Sequence, residues 1–255
     1  MLNIAPEKSG FFFNKNLAME KVIHRAEERG YVDRGWSKTA HSFSFGDYYN
    51  KERMHFGKLR VLNDDVVVAG KRVDMHPHQD MEIITIPLSG SIKHTDKLGN
   101  ETEVTAGEVQ VMSAGTGIRH SESNASSSEP VSLLQIWIFT DEMGHKPRYG
   151  QKRFDSAGRK EKWQLLVSSD GRFESLRIHQ NAFISMIDSD NLERVSYSLH
   201  SPGNGVYFMV IDGMAEAEGE LLEKRDAAGF WAFSEALVID FKQPSTILAI
   251  EIPIH

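Results

Sequence analysis

The chain contains no cysteine among its 255 residues. That excludes a disulfide framework, a thiolate nucleophile and any cysteine-ligated zinc or iron–sulfur centre. A metal would have to be held by nitrogen and oxygen donors, and redox sensing would have to run through that metal or through methionine. The absence also fits a reducing compartment. Long apolar runs are missing as well. The longest, Leu133 to Phe139, contains Gln135 and falls far short of the roughly 20 residues of a membrane-spanning helix. The first residues do not read as a secretory signal, because Glu7 and Lys8 break the stretch and Phe11-Phe12-Phe13 is too short for an apolar core. Positive charge is in deficit: the net charge is -7 and no basic block occurs, which argues against direct nucleic-acid binding. Together these absences predict a soluble cytoplasmic protein that engages neither membrane nor, directly, nucleic acid.

The composition that is present is that of an ordinary folded protein, with 40% hydrophobic and 25% charged residues. The length suits one large or two ordinary domains. Short β-rich runs punctuated by turn residues recur throughout. Met81 to Leu88 is β-branched and broken by Ser89-Gly90. Ser91 to Asp96 and Glu101 to Thr105 flank the loop Lys97-Leu98-Gly99-Asn100, which predicts a hairpin. Val109 to Ser113, Ile118 to Asn124 and Val131 to Thr140 follow as strands. Leu59 to Val68 reads as two strand pieces around a turn at Asn63-Asp64-Asp65, and His41 to Phe45 alternates polar and apolar as a half-buried strand does. Leu17 to Arg29 has the composition of a helix. Gly144 to Gly158 lacks periodicity and marks a boundary, after which the β rhythm resumes from Trp163 to Ile252. The expectation is an all-β protein of two antiparallel barrels: an extension at 1–20, a first domain at 21–155 and a second at 156–255. Phe11 to Phe13 of the extension would cover a patch on the main body.

The chemistry concentrates between His76 and Glu122. His76-Pro77-His78 opens this stretch and His120-Ser121-Glu122 closes it. Residues two apart on a strand share a face. Two such strands facing one interior would bring three imidazoles and a carboxylate together, a donor set for a divalent transition metal with coordination positions left open. Iron(II) suits it, and manganese, nickel, copper and zinc remain compatible by donor type. Glu82, with three residues between it and His78, competes with Glu122 for the carboxylate role.

The run Gly70-x5-His76-x-His78-x3-Glu82-x7-Gly90 and the run Gly107, Gly115-x-Gly117-x2-His120-x3-Asn124 resemble the two motifs of the cupin superfamily. Many cupins leave four residues between the second histidine and the glutamate, a place that Ile83 takes here. More narrowly, Gly35-Trp36, His41 to Phe45, Tyr48-Tyr49, His76-Pro77-His78, Ser113 to Glu122, Gln135 to Ile138, Pro147-Arg148-Tyr149, Gln151 and Phe154 resemble the pirin family of bicupins, over about residues 22–155.

That resemblance implies two cupin-type barrels, with a metal in the first only and a degenerate, metal-free second. It implies iron held by His76, His78, His120 and Glu122, and reads Val22 to Arg29 as strand. It further implies a flavonol-opening dioxygenase acting on quercetin with dioxygen, in which Glu122 serves as ligand and proton acceptor and Glu82 is a second candidate base. The alternative it carries is a metal-binding regulatory or redox-sensing protein that works through a protein partner. A third, weaker reading is a cupin isomerase or hydrolytic metal enzyme.

Other residues have blander expectations. His94 and Asp96 repeat the two-residue spacing and are read as a solvated strand face. His41 is read as a half-buried histidine, with lining of the pocket as the alternative. Trp36, Trp137, Trp163 and Trp231 are read as core, and Arg119 and Arg148 as partners of acidic neighbours. Asp80, with Glu82, could orient a ligand imidazole.

Overall fold

The computed structural model of the protein describes residues 19–255; the extension before residue 19, with Phe11 to Phe13, lies outside the described residues. Almost all regular structure is β-strand, and three short 3-10 turns are the only helical elements among the described residues. Four sheets, antiparallel except where Gln164–Ser168 pairs parallel with the short Leu176–Arg177 strand, form two pairs. In the first half a seven-stranded sheet runs in the order Arg148–Arg153, Glu108–Ser113, Met81–Ser89, Val131–Phe139, Leu59–Val67, Ser37–His41, Gly30–Asp33. It faces a four-stranded sheet in the order Arg72–His78, Ile118–Asn124, Ser91–Asp96, Glu101–Thr105. The second half repeats the plan with another seven-stranded and another four-stranded sheet. This is a two-domain cupin fold.

The Met81–Ser89 strand explains why its sequence is continuously apolar rather than alternating. Both of its faces are covered. Ile83 packs with Met112, Ala114 and Ile118 inside the first half. Ile84 and Ile86 face the other way, into a core that mixes Leu62 and Ile136 of the first half with Val167, Ile184, Met209 and Ile250 of the second. Burial of such large side chains contributes on the order of 1.5–3 kcal/mol each, so the layer between the halves is a hydrophobic core in its own right.

Three sequence expectations are corrected here. Asn63-Asp64-Asp65 is no turn: it lies within the nine-residue Leu59–Val67 strand, paired on both sides with Ser37–His41 and Val131–Phe139. Its polar side chains have partners, His41 Nδ1 with Asn63 Oδ1 at 2.8 Å and the Thr39 hydroxyl donating to Asp65 at 2.5 Å, which removes the usual objection to acids inside a sheet. Gly144 to Gly158 contains the Arg148–Arg153 strand, an edge strand whose paired neighbour is Glu108–Ser113. The stretch read as helix by composition and as strand by resemblance is a strand over Glu20–His24 and a 3-10 turn over Ala26–Glu28. That strand joins the second half's sheet, where it pairs with Ala227–Trp231.

Candidate metal centre

The Ile118–Asn124 strand is the middle of the site. On one side His120 pairs with His76, and on the other it pairs with Asp96 while Glu122 pairs with His94. The first pairing shifts register between His120 and Glu122, so that Glu122 stands opposite Val73. The turn that delivers the strand depends on Gly115, whose φ is +47° and whose added Cβ would lie 2.0 Å from the His145 carbonyl oxygen. Only glycine fits there.

His76, His78 and His120 present nitrogens that lie within 4.8 Å of one another. Their ring centroids are 4.4–4.9 Å apart. Orientation follows from the hydrogen bonds. His76 Nδ1 is 2.8 Å from the Asp74 carbonyl oxygen, to which it can only donate, so its Nε2 carries the lone pair. Nε2 of His78 and Nε2 of His120 are buried with no hydrogen-bond partner among the described residues. A buried unpaired polar atom costs about 1–3 kcal/mol, and a cation bound between the three converging imidazoles would remove that cost. Burial, followed by the neighbouring His76, lowers the His78 pKa to about 4. Burial, then His76 and His78, pushes His120 down further. These two rings are therefore neutral at physiological pH, the form that ligates a metal. The donors fit a divalent metal.

Glu122 belongs to a second three-residue group, with His94 and His120, again within 4.8 Å. The two groups share His120. The Glu122 carboxylate accepts from Gln135 Nε2 at 3.0 Å and from the Thr85 hydroxyl at 3.4 Å, and Trp137 Nε1 donates to Gln135 Oε1 at 3.0 Å. Burial raises its pKa, opposed by His94, His76, Gln135 and Thr85.

Glu82 is elsewhere. It lies on the face of its strand that carries Ile84, opposite Thr85, and its carboxylate accepts from the Ser113 hydroxyl at 2.7 Å. It is fully buried. Burial raises its pKa to about 7, against the pull of Ser113, Arg148 and His145. Because the folded value lies above the unfolded value of 4.5, the stabilisation Glu82 gives is present below about pH 4.5 and is lost as pH rises through 7. Glu82→Gln is therefore expected to stabilise the apoprotein more at pH 8 than at pH 5, by roughly 2–3 kcal/mol. Denaturant unfolding at the two pH values checks this; equal effects at both would show that the carboxyl does not change charge in this window. Asp80 accepts from the Gly144 backbone at 2.7 Å, so its carboxylate is engaged away from the imidazoles.

A cavity of about 290 Å³ opens beside the donors. It is lined by His76 and Glu122 and by Trp36, Thr39, His41, Phe45, Asp65, Gln135 and Trp137. The volume is close to the lower end of small-molecule pockets, about 300–1,000 Å³. Trp36 and Trp137, expected as core, are half-buried walls of this cavity, and His41 is a lining residue. Asp65 is a lining carboxyl that the sequence hid inside an apparent turn; burial raises its pKa to about 7. His94 and Asp96, expected on a solvated face, are buried next to His120. Their two-residue spacing was visible, but not that the facing strand would cover them.

Fold and site together define a two-domain cupin protein whose first half gathers nitrogen and oxygen donors that fit a divalent metal. Residues 22–138 match the family model described as Pirin, and residues 165–252 match that of the quercetinase C-terminal cupin domain. The quercetin 2,3-dioxygenase of Escherichia coli K12 is 40% identical over 235 residues, covering 91% of this chain and 98% of that protein. The crystal structure of bacterial pirin YhhW from Escherichia coli in complex with nickel(II) is 38% identical with a TM-score of 0.87, over 92% of this chain and 100% of that one. A quercetin 2,3-dioxygenase from Acinetobacter baumannii, 19% identical, shares the fold at a TM-score of 0.74, over 93% of this chain and 80% of that one. The chain belongs to the pirin family.

Proposed function

We propose that the protein is a metal-dependent dioxygenase that opens flavonols such as quercetin with dioxygen, with iron(II) the preferred metal and His76, His78, His120 and Glu122 its ligands. The observation that carries this reading is the shared wall: His76 from one donor group and Glu122 from the other, joined through His120, both line the aromatic-walled cavity. A relative 40% identical carries the name quercetin 2,3-dioxygenase, which fits a flat, hydroxylated aromatic substrate.

When bound, the metal supplies Lewis-acid stabilisation of an ionised flavonol oxygen. The chain supplies the rest. Trp36, Phe45 and Trp137 offer flat apolar surface to the fused rings. Gln135 anchors one oxygen of Glu122, while the other has only the 3.4 Å contact with Thr85. The second oxygen is thus the freer one to take the proton of the 3-hydroxyl. In the same lining, Thr39 and Asp65 form a hydrogen-bonded polar pair that can meet hydroxyls of the ligand.

The test begins with apoprotein loaded anaerobically with iron(II), and with nickel(II) in parallel. Quercetin is then added, followed by air. The expected result is loss of the flavonol absorbance with release of carbon monoxide. Persistence of the absorbance with no carbon monoxide, in protein shown to hold metal, would rule out this substrate.

A further inference from the structure

His120 does not end its interactions at the metal-facing nitrogen. Its Nδ1 lies 3.4 Å from Nδ1 of His94, and Nε2 of His94 lies 3.1 Å from Oδ2 of Asp96. All three side chains are buried, with His94 and His120 wholly inaccessible. Asp96 is held in turn by the hairpin loop: Oδ1 accepts from the backbone of Leu98 at 2.9 Å and of Asn100 at 3.0 Å, and Oδ2 accepts from Asn100 Nδ2 at 2.8 Å. Regular pairing of the two strands sets His120 opposite Asp96 and Glu122 opposite His94, so the row follows from register.

Proton positions along this row follow from the carboxylate end. An ionised carboxylate only accepts, so His94 must carry its proton on Nε2. In the neutral ring Nδ1 is then an acceptor, and the atom facing it, His120 Nδ1, is the donor. That leaves His120 Nε2 deprotonated, and Nε2 is the nitrogen that is buried without a partner beside His76 and His78. His94 has spent both nitrogens, one on Asp96 and one on His120, and has no lone pair left for a cation.

We propose that Asp96 and His94 are positioning residues for the metal centre: a carboxylate–imidazole–imidazole row that fixes the tautomer and ring orientation of His120. The proposal rests on the reading of His120 as a ligand. It assigns the hairpin loop Lys97 to Asn100 a part in metal affinity although that loop never reaches the cavity. Such partners raise ligand basicity, and removing them typically costs about 10–100-fold in metal affinity.

Asp96→Asn tests it. An asparagine amide that donates to His94 Nε2 drives the His94 proton to Nδ1, where it meets the proton on His120 Nδ1. Metal affinity, measured by competition with a chromophoric chelator, is expected to fall about 10–100-fold. His94→Gln keeps an acceptor within reach of His120 and should lose less than His94→Phe, which has none. The tautomers are read directly in wild-type, zinc-loaded protein by nitrogen-15 NMR of the imidazoles, a readout independent of turnover and of the variants' folding. The expected pattern is a protonated Nε2 on His94 and a protonated Nδ1 on His120. The opposite tautomer on either ring, a zinc-bound His94, or undiminished affinity in Asp96→Asn would overturn the proposal. Wild-type protein that binds no divalent metal would instead overturn the ligand reading beneath it.

Discussion

His120→Ala is expected to abolish metal loading outright. His120 is the member common to both donor groups, and its strand lies between the other two that carry donors. Its removal leaves two imidazoles on one strand without the facing nitrogen. The loss should exceed the roughly 10–100-fold typical of groups that only support a ligand. The apoprotein should nevertheless stay folded, because truncation also removes a buried nitrogen that had no hydrogen bond, which offsets part of the cavity it leaves. His76→Ala should lose metal as completely with a smaller effect on stability, since His76 is only half buried. Elemental analysis of purified protein and denaturant unfolding check both halves. Full metal content in either variant would remove these histidines from the ligand set.

Glu122→Gln is the second large effect. The replacement keeps the shape and an oxygen to accept from Gln135, and deletes the one negative charge in the four-residue set His76, His78, His120 and Glu122. Metal affinity should fall at least about tenfold, equivalent to about 1.4 kcal/mol. Glu82→Gln should leave it near the wild-type value, because Glu82 occupies the other face of its strand with Ser113. Chelator competition on the two variants side by side decides the matter. An equal loss in Glu82→Gln would mean that the carboxylate donor has been misassigned.

The histidine cluster was legible in the sequence because strand periodicity is local: two-residue spacing fixes a shared face without knowledge of the partner strand. The all-β, two-domain organisation was legible for the same reason, from runs and turn residues. Glu82 stands four residues after His78 but on the next strand, beyond a turn, so its place is set by pairing with Ser113 rather than by local spacing. What stayed hidden depends on cover. His94 and Asp96 form the same pattern whether their sheet faces water or another sheet, and only the seven-stranded sheet opposite makes them buried. Asn63-Asp64-Asp65 has turn chemistry by itself; it becomes strand because His41 and Thr39, more than twenty residues earlier, satisfy Asn63 and Asp65. The helical composition before Gly30 was overridden by a sheet edge formed near the other end of the chain.

That edge has a consequence for how the molecule is made. Glu20 pairs with Trp231 and His24 with Ala227, a separation of about two hundred residues. On a ribosome, the strands that carry the histidines emerge long before Ala227–Trp231 exists. The half that carries the histidines can therefore gather its donors while the Glu20–His24 strand still waits, single and apolar at Val22 and Ile23, for the last part of the chain. Until that strand docks, the nascent chain carries an open edge of the kind that other chains can pair with.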